Sequence, residues 1–203
     1  MNPLRMLPLS YFEATDTVAL ARHLIGKVLV TNFDGLRTAG RIVETEAYLG
    51  TVDRASHAYR GRTRRTEVMF GPAGRAYVYL CYGLHQMFNI VVREEGVPHA
   101  ILVRALEPLE GQETMLRRTG KGAVDTTLTR GPGNVGKAMG FHTRQCGLRL
   151  DSDELFVADD GFCWPEAAIG VSARIGVAYA GVDAGLPYRF YVIGHPYVSG
   201  KPR

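Results

Sequence analysis

Arg41-Ile42-Val43-Glu44-Thr45-Glu46-Ala47-Tyr48 reads as a strand carrying acids where strands usually keep apolar or hydroxyl residues. Strand side chains alternate faces with a period of two. Ile42, Glu44, Glu46 and Tyr48 therefore point one way, and Val43, Thr45 and Ala47 the other. Val43 and Ala47 make the expected core side. Glu44 and Glu46 are then either solvated edge charges, the commoner case, or the acid–base groups of a pocket.

The flanks give this strand its neighbours. Lys27–Phe33 is strand-like, Asp34-Gly35 is a strong hairpin turn, and Leu36–Leu49 is the long return strand. Upstream, residues 15–26 predict a helix. Thr15 or Asp16 can cap it, Leu20/Leu24 and Ala21/Ile25 repeat at four, and Gly26 suits the left-handed stop. Residues 50–74 are polar, Arg-rich and poorly periodic, which predicts a long surface loop of the kind that carries function. Residues 75–82 form a second strong strand that breaks at Gly83. Residues 86–93 and 99–106 continue the sheet across a turn at 94–98. Pro108 is placed at a helix start running to Thr119. Gly131-Pro132-Gly133-Asn134 opens a short helix near Lys137, and further strands are expected at 154–158, 171–177 and 188–193. No repeat, low-complexity tract or linker divides the chain. The pattern predicts an α+β fold: a single compact mixed domain over residues 1–203, with a curved, predominantly antiparallel sheet, flanking helices and a protruding β-hairpin.

The chain has 203 residues, 46% of them hydrophobic and 22% charged, enough apolar content for a sizeable core. A formal charge of +4 does not by itself demand an anionic partner. Its distribution says more. Arg54, Arg60, Arg62, Arg64, Arg65 and Arg75 crowd one segment with only Asp53 and Glu67 as nearby acids. Asp151, Asp153, Glu154, Asp159, Asp160 and Glu166 fill another that lacks Lys and Arg. This is either a surface polarised toward a polyanion or an Arg-rich solvated loop. Cys81, Cys146 and Cys163 are odd in number and widely spaced, against a disulfide framework or zinc site and for a reducing compartment. With no signal-like start and no long apolar run, the expected location is the cytoplasm, nucleoid-associated in a bacterium, with the nucleus left open, and no membrane partner is expected.

Some residue placements bear on chemistry. Tyr77 and Tyr79 share one strand face, while Tyr82 sits at a hairpin tip beside Gly83. A rigid aromatic there is either a wedge that unstacks bases or part of a hairpin folded back onto the core. His57 stands alone, without the spacing of a metal pair. Arg104 lies in an apolar strand, so it needs a partner; Glu44 or Glu46 would serve in what could be a plain salt bridge. Gly131–Asn134 could present backbone amides to a phosphate, but lacks the Gly-Lys-Ser/Thr of an ATP-binding loop. There is no Gly-x-Ser-x-Gly elbow and no Gly-x-Gly-x-x-Gly after a strand.

Taken in order, Arg41-Ile-Val-Glu-Thr-Glu-Ala-Tyr-Leu-Gly50, His57, Tyr77-Val-Tyr-Leu-Cys-Tyr-Gly83, Asn89 and Leu102-Val-Arg-Ala-Leu-Glu-Pro-Leu-Glu-Gly111 resemble the alkyladenine (3-methyladenine) DNA glycosylase family. Ala173-Arg-Ile-Gly-Val177 and Arg189-Phe-Tyr-Val192 with Pro196 match as well, so the resemblance runs from about residue 8 to 199. It implies a monofunctional base-excision enzyme, with no cofactor or metal expected, acting on double-stranded DNA that contains damaged purines; a monomer is expected because one flipped base requires no symmetry. Glu46 falls on the family's water-activating base and Arg104 on the arginine that holds it. Tyr48, His57 and Tyr79 fall on the walls of the base pocket, Leu102 on its lining, and Asn89 on the residue that crowds the exocyclic amine of guanine. Tyr82 falls on the intercalating wedge. After Tyr82-Gly83 the chain has Leu84-His85 where mammalian relatives carry another aromatic. A non-catalytic nucleic-acid-binding module is the competing function, distinguished by salt-dependent binding without base release.

Overall fold

The computed structural model describes residues 3–200. Its strands are β1 (Arg5–Met6), β2 (Val28–Phe33), β3 (Leu36–Tyr48), β4 (Ala76–Cys81), β5 (His85–Val92), β6 (His99–Glu110), β7 (Leu155–Asp159), β8 (Ile169–Ser172) and β9 (Arg189–Val192). The α-helices are α1 (Thr17–His23), α2 (Gln112–Thr119) and α3 (Pro132–Met139). The strands join one antiparallel sheet in the order β1-β7-β2-β3-β6-β5-β4, with β9 added to β3 and β8 to β9. The fold is α+β, as the pattern of strands and short helices implied.

β3 is the spine. Asp34 and Gly35 both take positive φ, 56° and 73°, the geometry of a tight two-residue hairpin turn. That turn sets β2 against the first half of β3. The second half meets β9 instead, with Glu44 opposite Tyr191 and Glu46 opposite Arg189. On its other edge β3 pairs with β6, and there the register shifts: Ile42 faces Leu106 and Glu44 faces Ala105. Val43 is the extra residue of a β-bulge. Ile42 and Val43 are therefore both wholly buried in the main core, along with Ala47. Strict alternation placed Ile42 on the acid face; the bulge corrects that by turning it to the core.

α1 starts where Asp16 accepts hydrogen bonds from the Val18 and Ala19 N–H groups, each 2.9 Å. It ends at His23 with Leu24 as its C-cap, short of the expected 15–26, and Gly26, φ +93°, turns the chain so that its N–H reaches the Ile42 carbonyl. The Thr45 hydroxyl donates to the Ala21 carbonyl at 2.7 Å, pinning α1 to β3. On this face the core gathers Phe12, Leu24, Phe88, Leu106 and Phe141, with the Phe88 and Phe141 rings stacked 4.2 Å apart. Each such fully buried side chain contributes roughly 1.5–3 kcal/mol of apolar burial.

α3 lies directly against β5, and its glycines explain how. A Cβ on Gly136 would sit 1.8 Å from the Gln86 carbonyl oxygen, and one on Gly133 would sit 2.8 Å from the His85 ring. β4 and β5 pair from Ala76–Ile90 out to Cys81–His85, and the Leu84 N–H closes the tip onto the Cys81 carbonyl at 3.1 Å. Tyr82 takes φ +49° and Gly83 +69°. A tyrosine at positive φ is a backbone outlier, and its ring is 91% exposed.

Two expected elements are corrected. Pro108 does not begin a helix: it lies within β6 opposite Gly40, beside a register shift at Ala39/Gly40 where the missing N–H is tolerated, and α2 starts only after Gly111. The strand expected over 171–177 ends at Ser172, because the Ile175 N–H is drawn to a side chain of β3 rather than to a ladder partner. Within the segment 50–74, three short 3₁₀ turns occur at Gly50–Val52, His57–Arg60 and Glu67–Phe70. Among the described residues, no helix is long and apolar enough to cross a membrane.

Candidate active site

Both acids of β3 are completely buried, which excludes the solvated-edge alternative. Burial of two carboxylates requires donors, and beyond Tyr48 they arrive from four distant points of the chain, Arg104, Ile175, Arg189 and Ser199. Glu44 Oε1 accepts from Arg104 Nε (2.8 Å), Arg189 Nε (2.7 Å) and the Ser199 hydroxyl (2.9 Å), and Oε2 accepts from the Ser199 N–H (2.6 Å). Three of those bonds fall on Oε1 and one on Oε2. Glu46 differs. Its Oε2 accepts from Arg104 Nη1 (3.1 Å) and the Tyr48 hydroxyl (2.8 Å), and its Oε1 from the Ile175 N–H (2.7 Å). Glu44 thus takes four donors and Glu46 three, and among the described residues each keeps one oxygen with a single donor.

Arg104 bridges the pair, with Nη2 donating to the Ser199 hydroxyl at 3.2 Å. Its neutral alternative is held off: the Glu46 and Glu44 charges raise the guanidinium pKa against the opposing effect of burial, which is the largest single influence. Tyr48 is backed by Arg174, whose guanidinium carbon lies 4.8 Å from the ring centre. Arg174 is itself fixed by Asp53 through both carboxylate oxygens and by the Ala47 carbonyl at 2.9 Å. Burial first, and the Glu46 charge second, push the Tyr48 hydroxyl pKa well above its ordinary value, so it stays a donor.

In front of this pair opens a cleft of about 460 Å³, lined by Tyr48, His57, Tyr79, Tyr82, Leu102 and Arg104 among others. That volume lies within the roughly 300–1,000 Å³ typical of small-ligand sites. A narrower recess of about 40 Å³ shares Tyr48, His57 and Tyr79 and reaches Asn89, whose Nδ2 donates to the Tyr77 carbonyl at 3.2 Å. Glu46 lines neither cavity; it lies one hydrogen bond behind Tyr48 and Arg104. The structure therefore brings together every residue the sequence nominated: Glu46, Tyr48, His57, Tyr79, Tyr82, Asn89, Leu102 and Arg104.

His57 Nδ1 is 2.9 Å from the Tyr77 hydroxyl, and its ring packs edge-on to Tyr79 at 4.5 Å. Burial of that ring edge, then the nearby Arg65 charge, lower its pKa to about 4, although the residue keeps an exposed side. The imidazole is neutral at neutral pH. Arg65 itself lies over the Tyr79 ring at 4.9 Å. Burial raises the Tyr77 hydroxyl to about 12 and lifts that of Tyr79 as well.

Sequence reasoning named Tyr77, Arg174, Ile175 and Arg189 but assigned them no role, and it missed Asp53 as the partner of Arg174 and Ser199 altogether. Arg189 carried a usable signal, an arginine inside an apolar strand, the same reasoning that singled out Arg104. The Ile175 amide and Ser199 carried none, because their partners lie 129 and 155 residues away. Among the described residues, no group of three or more His, Cys, Asp or Glu is placed to hold a metal ion.

An aromatic-walled cleft set before an arginine-held carboxylate, with an exposed aromatic at its rim, has the shape and chemistry to accept a flat ring. The sequence model of the family described as "Methylpurine-DNA glycosylase (MPG)" matches residues 11–196. A Bacillus cereus protein named "Putative 3-methyladenine DNA glycosylase" is 43% identical, covering 96% of this chain and 98% of its own. Proteins of the same name from Bacillus thuringiensis and Bacillus anthracis are each 41% identical over the same shares. The chain belongs to the methylpurine-DNA glycosylase family. As a member it is a DNA glycosylase directed at alkylated bases, and DNA is its partner.

Proposed function

We propose that the protein is a monofunctional, hydrolytic glycosylase that extrudes alkylated or deaminated purines from duplex DNA and releases them with a water activated by Glu46. The observation that carries this reading is the asymmetry of the two buried acids. All three donors to Glu46, from Tyr48, Arg104 and Ile175, line the cleft, whereas of the donors to Glu44 only Arg104 does. Extruding a nucleotide costs a few kcal/mol and leaves a gap in the stack. Tyr82, rigid and exposed at its turn, fills that gap. The purine enters between the Tyr48, His57 and Tyr79 rings, with Leu102 and Asn89 bounding the pocket.

A purine alkylated at N3 or N7 is cationic. The aromatic walls favour it by cation–π attraction of roughly 0.5–2 kcal/mol each. A neutral His57 adds no opposing charge. Glu46 takes a proton from water as the water oxygen bonds to the sugar C1′. The C1′–N bond breaks, its electron pair returns to the purine, and the cationic base leaves neutral without a general acid. The buried carboxylate also stabilises the developing oxocarbenium charge. Arg104 positions Glu46 and limits its motion. No lysine of these motifs is placed for a Schiff base, which supports hydrolysis without strand cleavage. One extruded base requires no symmetry, so a monomer suffices.

Glu46→Gln tests the reading. Release of free base from alkylated duplex should fall to the uncatalysed rate while affinity for the lesion is retained. Normal release by that variant would remove Glu46 from the role of base, and release by neither variant nor wild type would remove the activity.

A further inference from the structure

The hairpin tip separates two clefts. Tyr82 lines the one that leads to Glu46. Leu84, two residues on and 79% exposed, lines a second of about 420 Å³ with which the first shares no lining residue. The start of α3 divides them in the same way, Pro132 falling to the first and Gly133 to the second.

The second cleft is cationic. Arg118, Lys137 and Arg144 line it, against the single carboxylate of Asp34. Asp34 is engaged by Arg144 at 2.7 Å. Lys137 donates to the Thr119 carbonyl at 3.1 Å, and Arg118 to the Ala138 and Leu36 carbonyls and the Thr38 hydroxyl. Backbone carbonyls and a hydroxyl orient these two cations without neutralising them. Excess positive charge in a concave, low-dielectric surface attracts a polyanion.

We propose that this second cleft receives the phosphates of the strand opposite the damaged base. The inference rests on the wedge role of Tyr82. If Tyr82 fills the gap in the damaged strand, whatever lies across the tip faces the complementary strand. Leu84 then meets the base left without a partner, and Lys137 and Arg144 meet the backbone behind it. A glycosylase gains from this arrangement, because holding the second strand prevents the duplex from following the extruded nucleotide.

The test places single neutral methylphosphonates on one strand at a time in a lesion-containing duplex and measures affinity. In the wild type, neutralising complementary-strand positions near the lesion should weaken binding several-fold. In Lys137→Gln/Arg144→Gln the same substitutions should cost nothing further, and the salt slope should fall by about 1.8 for two lost phosphate contacts. Both side chains are exposed, so the variant keeps its core. A complementary-strand effect that persists in the variant overturns the proposal, as does an effect confined to the damaged strand. Base release measured on the same duplexes reports separately on the catalytic reading, since strand contacts and excision are scored independently.

Discussion

At the scale of single residues the site is governed by how many donors reach each acid. Arg104 serves both, through Nε to Glu44 and Nη1 to Glu46. Removing it leaves two adjacent buried carboxylates without their shared cation, so Arg104→Met should destabilise the protein by about 3–5 kcal/mol in urea unfolding. Arg104→Lys should recover only part of this, because one ammonium cannot reproduce the fork. His57 gives a pH signature. Its folded pKa of about 4 lies below the ordinary 6.5, so between those values the unfolded chain binds more protons. Through this group stability rises with pH across that window and is lost as the solution is acidified toward pH 4. A ring-proton titration by NMR should find the midpoint near 4, and His57→Gln should remove the corresponding slope from stability measured between pH 4 and 6.5.

At the scale of elements, the seam between α3 and the β4–β5 hairpin carries the exposed tip. A methyl group on Gly136 would collide with the Gln86 backbone rather than with a pliable side chain. Gly136→Ala should therefore lower stability by about 1–3 kcal/mol and weaken binding to lesion duplex, read by thermal melting and by titration. Gly122→Ala, with nothing within 4 Å of its new Cβ, should leave both unchanged. Elements were the most legible part of the sequence. Asp16 as cap and Asp34-Gly35 as turn act through neighbours one to three residues away, and the structure keeps both, whereas the helix ends at His23, short of the Gly26 stop. The bulge at Val43 and the run of β6 through Pro108 were not legible, because both answer to a partner strand rather than to local propensity. The site divides the same way. Its walls were found from motifs, while the partners that Arg174, Arg189, Ser199 and the Ile175 amide bind lie across long separations that no local pattern records.

At the scale of the molecule, charge decides how DNA is met. Arg60 and Arg64 are exposed, and neither has a carboxylate partner among the described residues, unlike Arg62, which is paired with Glu67. If both contact phosphates, Arg60→Gln/Arg64→Gln should reduce the slope of log affinity against log salt by about 1.8, and an unchanged slope would place this segment off the DNA. The knot of Glu44, Arg104, Arg189 and Ser199 has a further consequence, in time rather than space. Glu44 and Ser199 are separated by 155 residues. At a ribosomal rate of roughly 5–20 residues per second, some 8–30 seconds pass between their synthesis. Until then Arg104 and Glu44 lack the Ser199 partner, so this buried knot closes only when nearly the whole chain has been made.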